Sequence, residues 1–234
     1  MNELKRDHVI DGLRNQEKYD LIVIGGGATG AGIALDAASR GYQVALLERK
    51  DFGSGTSSKS SKLVHGGVRY LANGEFSLVR EALHERALLL NNAPHLVKPL
   101  SFIIPAKNLY ERIKYRAGLW LYDQLARDQQ FERSRALNLS ELRETLSALQ
   151  LDAFRGAVRY SDGLFDDTRL LWDILDNAIR HGAKVANYCQ VVGLIRQDKR
   201  VAGVEVLDKE NGDSFSLHAN AVINATGAWS DEIG

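Results

Sequence analysis

The chain of 234 residues contains one cysteine, Cys189. An internal disulfide is therefore excluded, and so is a zinc site built from four thiolates; a reducing compartment fits this composition. Net charge is missing as well, because 30 Lys and Arg balance 30 Asp and Glu. Bulk attraction to nucleic acid or to an anionic membrane is removed with it. The longest apolar stretch, residues 21–38, is interrupted by five glycines and carries Asp36. A spanning helix needs ~20 apolar residues and is not found here. The charged opening Met1-Asn-Glu-Leu-Lys-Arg-Asp-His8 lacks the apolar centre of a secretory signal, so the expectation is a cytoplasmic protein. Internal repeats and low-complexity segments are also absent. What is present, 44% hydrophobic and 26% charged residues, describes a globular chain long enough for one large domain or two small ones.

Residues 1–18 read as a polar helical lead-in. Tyr19-Asp-Leu-Ile-Val-Ile24 is a short β-branched run stopped by three glycines, as expected of a buried strand in a parallel sheet. A helix with a slim face of small residues follows over 28–40, closed by Gly41, and a second strand covers 42–48. This β-α-β unit has the length of a right-handed crossover. Residues 51–67 then hold four glycines, five serines and a threonine, and a long loop of that kind is usually functional or disordered. Further on, a helix is expected over 77–91, a strand over 100–104 ended by Pro105, an amphipathic helix over 109–127, and a helix over 140–149 capped by Ser140. Residues 157–160 read as a strand, and Asp166-Asp-Thr168 as the cap of a helix running to about Arg180 and closed by Gly182. Short alternating runs at 184–187, 191–196, 201–207 and 215–218 suggest an antiparallel meander with a turn at Asn211-Gly212. Residues 221–224 form a final buried strand entering Ala225-Thr-Gly-Ala-Trp229. An end so close to a strand is read as that of a fragment.

Gly25-Gly-Gly27-Ala-Thr-Gly30 fits the dinucleotide-binding spacing between a strand and a helix. The first glycine permits the tight turn, the second lets backbone approach a pyrophosphate, and the third lets helix and strand pack closely. The helix N-terminus then offers amide donors and partial positive charge to phosphates. Glu48, at the end of the second strand, suits the hydroxyls of an adenosine ribose and would repel a 2′-phosphate. Between NAD and FAD, the Gly/Ser loop that follows at once favours FAD, since it can line an extended cofactor with amides and hydroxyls. The late Ala225-Thr-Gly227 turn adds a second place for close backbone approach.

Ser54-Gly-Thr-Ser-Ser-Lys-Ser-Ser-Lys-Leu-Val-His-Gly-Gly-Val-Arg-Tyr-Leu71, Gly163-Leu-Phe-Asp-Asp-Thr-Arg-Leu170 and Asn224-Ala-Thr-Gly-Ala-Trp229, together with the glycine turn, resemble the FAD-dependent glycerol-3-phosphate dehydrogenases from Tyr19 onward. Lys59 stands where that family has arginine, a swap that keeps charge but loses bidentate geometry. The resemblance implies an α/β fold: a Rossmann-like FAD-binding domain of the amino-acid-oxidase-like flavoprotein type, residues 1–95 and 166–234, with part of a substrate domain at 96–165. It implies cofactor contacts at Gly25, Gly27, Ala28, Thr29, Gly30, Glu48, Arg49, Thr56, Ser57, Ser61, Lys62, Leu63, Val191, Ala225, Thr226 and Gly227. It places His65 at the flavin ring edge as proton acceptor, and Arg69 and Tyr70 at the substrate phosphate. The implied reaction is oxidation of sn-glycerol 3-phosphate to dihydroxyacetone phosphate, with a quinone as electron acceptor, at a peripheral position on the cytoplasmic face of the inner membrane; the oligomeric state is left open, a homodimer among the options. No metal is expected.

Other readings of the same residues stand beside these. Taken without the family, His65 is an ordinary loop residue, Arg69 pairs with Glu75, and Tyr70 belongs to a core. Asp166, Asp167 and Arg169 read as a helix cap with a polar first turn. Cys189 reads as an inert strand residue with no basic group beside it. The segment 110–125, with Arg112, Lys114, Arg116, Trp120 and Tyr122, suits either a membrane surface or a helix covering the substrate domain. Electron transfer to oxygen, an amine-oxidising relative, and a truncated flavin-binding module without activity remain the alternatives.

Overall fold

The computed structural model describes residues 6–127, 131–148 and 150–233. Residues 1–5 of the expected lead-in and Leu149 at the end of the expected 140–149 helix lie outside them. In chain order the elements are α1 (Arg6–Arg14), β1 (Tyr19–Ile24), α2 (Ala28–Ser39), β2 (Val44–Leu47), β3 (Leu63–Val64), α3 (Val68–Ala72), α4 (Phe76–Asn92), β4 (Val97–Ala106) and α5 (Leu109–Ala126). They continue with β5 (Arg135–Leu137), α6 (Leu139–Thr145), β6 (Gly156–Phe165), α7 (Asp167–Arg180), β7 (Lys184–Ala186), β8 (Cys189–Gln197), β9 (Arg200–Asp208) and β10 (Ser214–Asn224).

Two compact units result, one of Met1–Ser60 with Asp167–Gly234, the other of Ser61–Asp166. The first crossing therefore falls at Ser60, not at residue 95. The reason is local: Val79 and Leu83 of α4 share a core with Tyr122 and Ala126 of α5, so α4 belongs to the second unit.

In the first unit six strands run in the order β7-β2-β1-β10-β9-β8. The β1 pairings to β2 and to β10 are parallel, whereas β10-β9-β8 is an antiparallel meander. The uninterrupted apolar run of β1 is explained by burial on both faces. Val23 packs with Ala31, Ala34 and Ala38 of α2 and with Leu171, Leu175 and Ala178 of α7, while Ile22 and Ile24 face Val191, Val204, Val206 and Leu217 of the meander. The alanines of α2 bring that helix close to the sheet, and the spacing of Leu171, Leu175 and Ala178 lays one stripe of α7 inward.

Several expectations are corrected here. The runs 215–218 and 221–224 are one strand, β10, antiparallel to β9 over its first half and parallel to β1 over its second. Its end is not buried: Val222 and Ile223 are half-buried and Ala221 and Asn224 exposed, because the β9 pairing stops at His218. β2 is shorter than 42–48, with Tyr42 54% exposed outside it. Cys189 does have a basic neighbour, Arg6, whose Nη2 lies 3.8 Å from its Sγ. Burial nevertheless pushes the Cys189 thiol up, against the pull of Arg6, so the residue stays unreactive.

In the second unit β6 is central, flanked by β4 on one side and by β3 and β5 on the other. Pro105 does not end the strand; β4 continues to Ala106 and also contains Pro99. An edge strand tolerates both, since alternate N–H groups there point away from the partner. α6 is capped by Asn138, not Ser140: the Asn138 side chain accepts from the Glu141 amide while the Glu141 carboxylate accepts from the Asn138 amide. α5 buries Leu119, Tyr122 and Ala126. Its opposite face leaves Leu109, Ile113 and Trp120 exposed, lining with Arg112 and Arg116 a groove of about 420 Å³.

Candidate functional site

In the first unit, three chain segments meet at the carboxyl ends of β1, β2 and β10. Ile24 lies beside Leu47 and Asn224 in register, the Gly25 amide donates to the Leu47 carbonyl at 2.8 Å, and the Ala225 amide donates to the Ile24 carbonyl at 2.8 Å. A Cβ on Gly25, whose φ is +109°, would stand 2.6 Å from the Ala225 oxygen. One on Gly30 would stand 1.9 Å from the Gly25 oxygen. The tight turn expected at the first glycine and the close packing expected at the third are thus both places where a Cβ would meet backbone. Gly27, the N-cap of α2, has no side chain to close the helix start, and Ala28 and Thr29 in the first turn are exposed. Such an end attracts an anion.

The Gly/Ser loop is tied to this turn. Ser57, in a 3₁₀ turn with Thr56, accepts from the Ala28 amide at 2.9 Å, and the Gly53 amide donates to the Gly26 carbonyl at 3.0 Å. Ser60 is held by buried Asp167, whose carboxylate accepts from the Ser60 hydroxyl at 2.7 Å. The polar start of α7 thus anchors the loop as well as heading its own helix. Phe52 meets Trp172 edge to face at 5.5 Å.

Glu48 accepts from the Gly26 amide at 2.7 Å through one oxygen and from the Lys50 amide at 2.8 Å through the other. A carboxylate has about four acceptor sites, so two fix its orientation and the others suit a diol. The Cys189 amide donates to the Glu48 carbonyl at 2.8 Å, which sets the start of β8, and Val191 two residues on, beside the end of β2. The Val191 side chain is in the core, which leaves its backbone as the part that could meet a ligand. Arg49 is engaged elsewhere, paired with Glu232 at 2.5 Å and lying 5.0 Å over the Trp229 ring. Thr226 is fixed through its amide and hydroxyl by the Asn224 side chain, and Gly227 takes φ +62°. Asn224 and Asp167 had been given no such tethering role by motif; their partners lie far along the chain or within an unremarkable turn.

Ser61, Lys62, Leu63, His65, Arg69 and Tyr70 all belong to the second unit. Leu63 pairs with Leu164 in β6, and the Phe165 amide donates to the Lys62 carbonyl at 3.0 Å. His65 and Arg69 are exposed, and Tyr70 is 40% exposed, so Tyr70 is not a core residue. Gly67 caps α3 in the left-handed region at φ +73°. Beneath this loop lies a polar cluster that no spacing indicated. Arg86 and Asp162 form an ion pair at 2.6 Å with both side chains 2% exposed, the Tyr122 hydroxyl donates to Asp162 at 2.9 Å, and the Gly66 amide donates to Tyr122 at 2.9 Å. Burial, then the Asp162 charge, pushes the Tyr122 phenol far above its ordinary range. Burial also raises Tyr160, against the pull of the Arg69 charge.

A glycine turn at a parallel strand end, a fixed acidic residue on the next strand and a small-residue turn on the far side define a dinucleotide-binding flavoprotein class. Residues 20–234 match the family model described as FAD dependent oxidoreductase, and the chain belongs to that family. Over 225 residues it is 48% identical to a Mycobacterium tuberculosis protein named glycerol-3-phosphate dehydrogenase 2, covering 93% of this chain and 37% of that one. It is 43% identical to the Homo sapiens mitochondrial glycerol-3-phosphate dehydrogenase, covering 94% of this chain and 32% of that one. The glycerol-3-phosphate dehydrogenase from Bacillus halodurans complexed with FAD superposes with a TM-score of 0.74 at 34% identity, over 97% of this chain and 38% of that one. The L-proline dehydrogenase from P. horikoshii, at TM-score 0.71 and 21% identity, shares the fold. The chain thus spans about a third of the length of the relatives it matches. FAD is the cofactor of the family, and the first unit fits it: a glycine turn packed on backbone, an exposed helix start whose Ala28 amide meets the loop at Ser57, and an oriented carboxylate.

Proposed function

We propose that the protein carrying this chain is an FAD-dependent glycerol-3-phosphate dehydrogenase that oxidises sn-glycerol 3-phosphate to dihydroxyacetone phosphate and passes the electrons to a quinone. The observation that carries this reading is the identity of 43–48% across nearly the whole chain to proteins of that name, joined to the convergent turns of the first unit. Bound FAD would supply a two-electron acceptor for the hydride of the substrate's C2–H bond. The chain's own residues bind and orient. Gly25, Gly27, Ala28, Thr29 and Gly30, with Ala225, Thr226 and Gly227, present backbone to the pyrophosphate, and Glu48 accepts from the adenosine ribose. Val191 offers its backbone to the adenine, Thr56, Ser57, Ser61, Lys62 and Leu63 line the phosphate and ribityl side, and Arg49 would join the cofactor contacts only by leaving Glu232.

His65 takes the C2 hydroxyl proton as the carbonyl forms, a role open to an imidazole nitrogen within hydrogen-bond reach of the alcohol. Arg69 supplies paired hydrogen bonds to the substrate phosphate and Tyr70 a third donor. The unit of residues 1–60 and 167–234 serves as the FAD domain and that of residues 61–166 as the start of the substrate domain. No described helix is long and apolar enough to cross a membrane, and we place the protein on the cytoplasmic face of the inner membrane as a peripheral homodimer, consistent with the exposed apolar and basic face of α5. Anaerobic titration of the flavin-loaded protein with glycerol 3-phosphate tests the reaction. Bleaching of the flavin band, reversed by a quinone, is the expected result, and a band that stays oxidised would reject it.

A further inference from the structure

The buried cluster of Arg86, Asp162 and Tyr122 is attached to the loop at the Gly66 amide. That amide donates to the Tyr122 hydroxyl at 2.9 Å and to Asp162 Oδ1 at 3.3 Å. The approach is too close for any side chain, since a Cβ on Gly66 would lie 2.4 Å from the Tyr122 oxygen and 2.4 Å from Leu83. Antiparallel pairing of Val64 with Gly163 delivers the loop to this point, so Asp162 adjoins the strand residue facing Val64. Tyr122 arrives from α5 and Arg86 from α4, its guanidinium 4.9 Å from the Phe131 ring. Gly66 stands between His65 and Gly67, and Gly67 starts the helix that carries Arg69 and Tyr70.

A purely structural ion pair needs only a partner. This one also accepts, at 3.3 Å, from a backbone N–H flanked by the proposed proton acceptor, and its rigidity passes to His65 through a single peptide. We infer that Asp162, Tyr122 and Arg86 are positioning residues for His65: Asp162 and Tyr122 hold the Gly66 amide, and Arg86 holds Asp162. The inference rests on the reading of His65 as the residue that takes the substrate's proton.

Tyr122→Phe in the flavin-loaded protein tests it, with turnover of glycerol 3-phosphate and hydrogen exchange of the Gly66 amide read together. Small displacements of reacting groups cost large factors in rate. The expected result is a kcat lowered about tenfold or more, KM within about threefold, faster Gly66 exchange, and an unchanged flavin spectrum and melting temperature. A kcat that holds, or a Gly66 exchange that does not rise, overturns the positioning role, as does a lower melting temperature with kcat intact. Should Tyr122→Phe not fold, the same readouts on Asp162→Glu, which keeps both charges, decide it on the same criteria. A wild-type flavin that glycerol 3-phosphate leaves oxidised would sink the substrate reading instead, and the Gly66 exchange would then decide the positioning role alone.

Discussion

The glycine turn of the first unit and the histidine loop of the second both bring backbone unusually close to its surroundings, but they are held in different ways. At Gly25 and Gly30 the near neighbours are backbone oxygens of Ala225 and of the turn itself. At Gly66 they are the side chains of Leu83 and Tyr122, backed by a buried ion pair. A turn built of backbone against backbone is a matter of local spacing and repeats wherever the same cofactor contact is needed. A loop built on a buried network depends on residues 20 to 96 positions away, and its geometry can be altered without touching the loop.

The largest effect is expected where backbone meets backbone. Gly30→Val would drive a Cβ to within 1.9 Å of the Gly25 oxygen, with no flexible atom to yield, so the first unit should lose bound FAD entirely; flavin absorbance after gel filtration reads this. A Gly30→Val protein that retains yellow flavin would show that the turn can open, and the contrast between the two regions would fail.

Next comes Asp162→Asn, which keeps the shape of the cluster but removes the carboxylate charge that pairs with Arg86 at 2.6 Å in a buried site. Breaking such a pair costs ~3–5 kcal/mol, measurable by urea unfolding. The paired apolar replacement Arg86→Met with Asp162→Leu should recover part of that loss in a double-mutant cycle while leaving the Gly66 loop slack. A single-site loss below about 1 kcal/mol would mean that the ion pair is not what holds the second unit's loop.

The smallest is a pH effect in the first unit. Burial pushes the Tyr19 phenol up to about 12 from an ordinary value of 10.0, so the folded state favours the protonated form. The contribution is fully present below pH 10 and is lost as pH rises toward 12. Tyr19→Phe should therefore flatten the alkaline limb of stability against pH, followed by circular dichroism; an unchanged limb would assign that loss to the other groups raised by burial, Cys189, Tyr122 and Tyr160.

Legibility in the sequence follows the same division. The β-α-β unit, the glycine turn, Glu48 and the three antiparallel strands β8 to β10 were readable because each depends on periodicity or on residues within about one element of each other, whereas 184–187, expected in the same meander, forms β7 and pairs parallel with β2. The join of 215–218 to 221–224 was not readable, since nothing local says that one strand serves two sheets' worth of pairing. Pro105 misled for a related reason: whether proline is tolerated depends on which edge of β4 is left open. Ser140 lost the cap of α6 to Asn138 because the reciprocal bonds with Glu141 satisfy two helix amides at once.

By itself, the sequence determined that this chain carries the glycine turn and oriented carboxylate of an FAD-dependent oxidoreductase, because these are short-range features whose steric demands only glycine and a well-placed carboxylate meet. Only the tertiary structure decided that α4 joins the second unit, that Asp167 holds Ser60, and that Arg86, Asp162 and Tyr122 converge on Gly66. Those facts rest on partners distant in the chain, and a buried charge finds its counterion by the packing of whole elements, which no local pattern encodes.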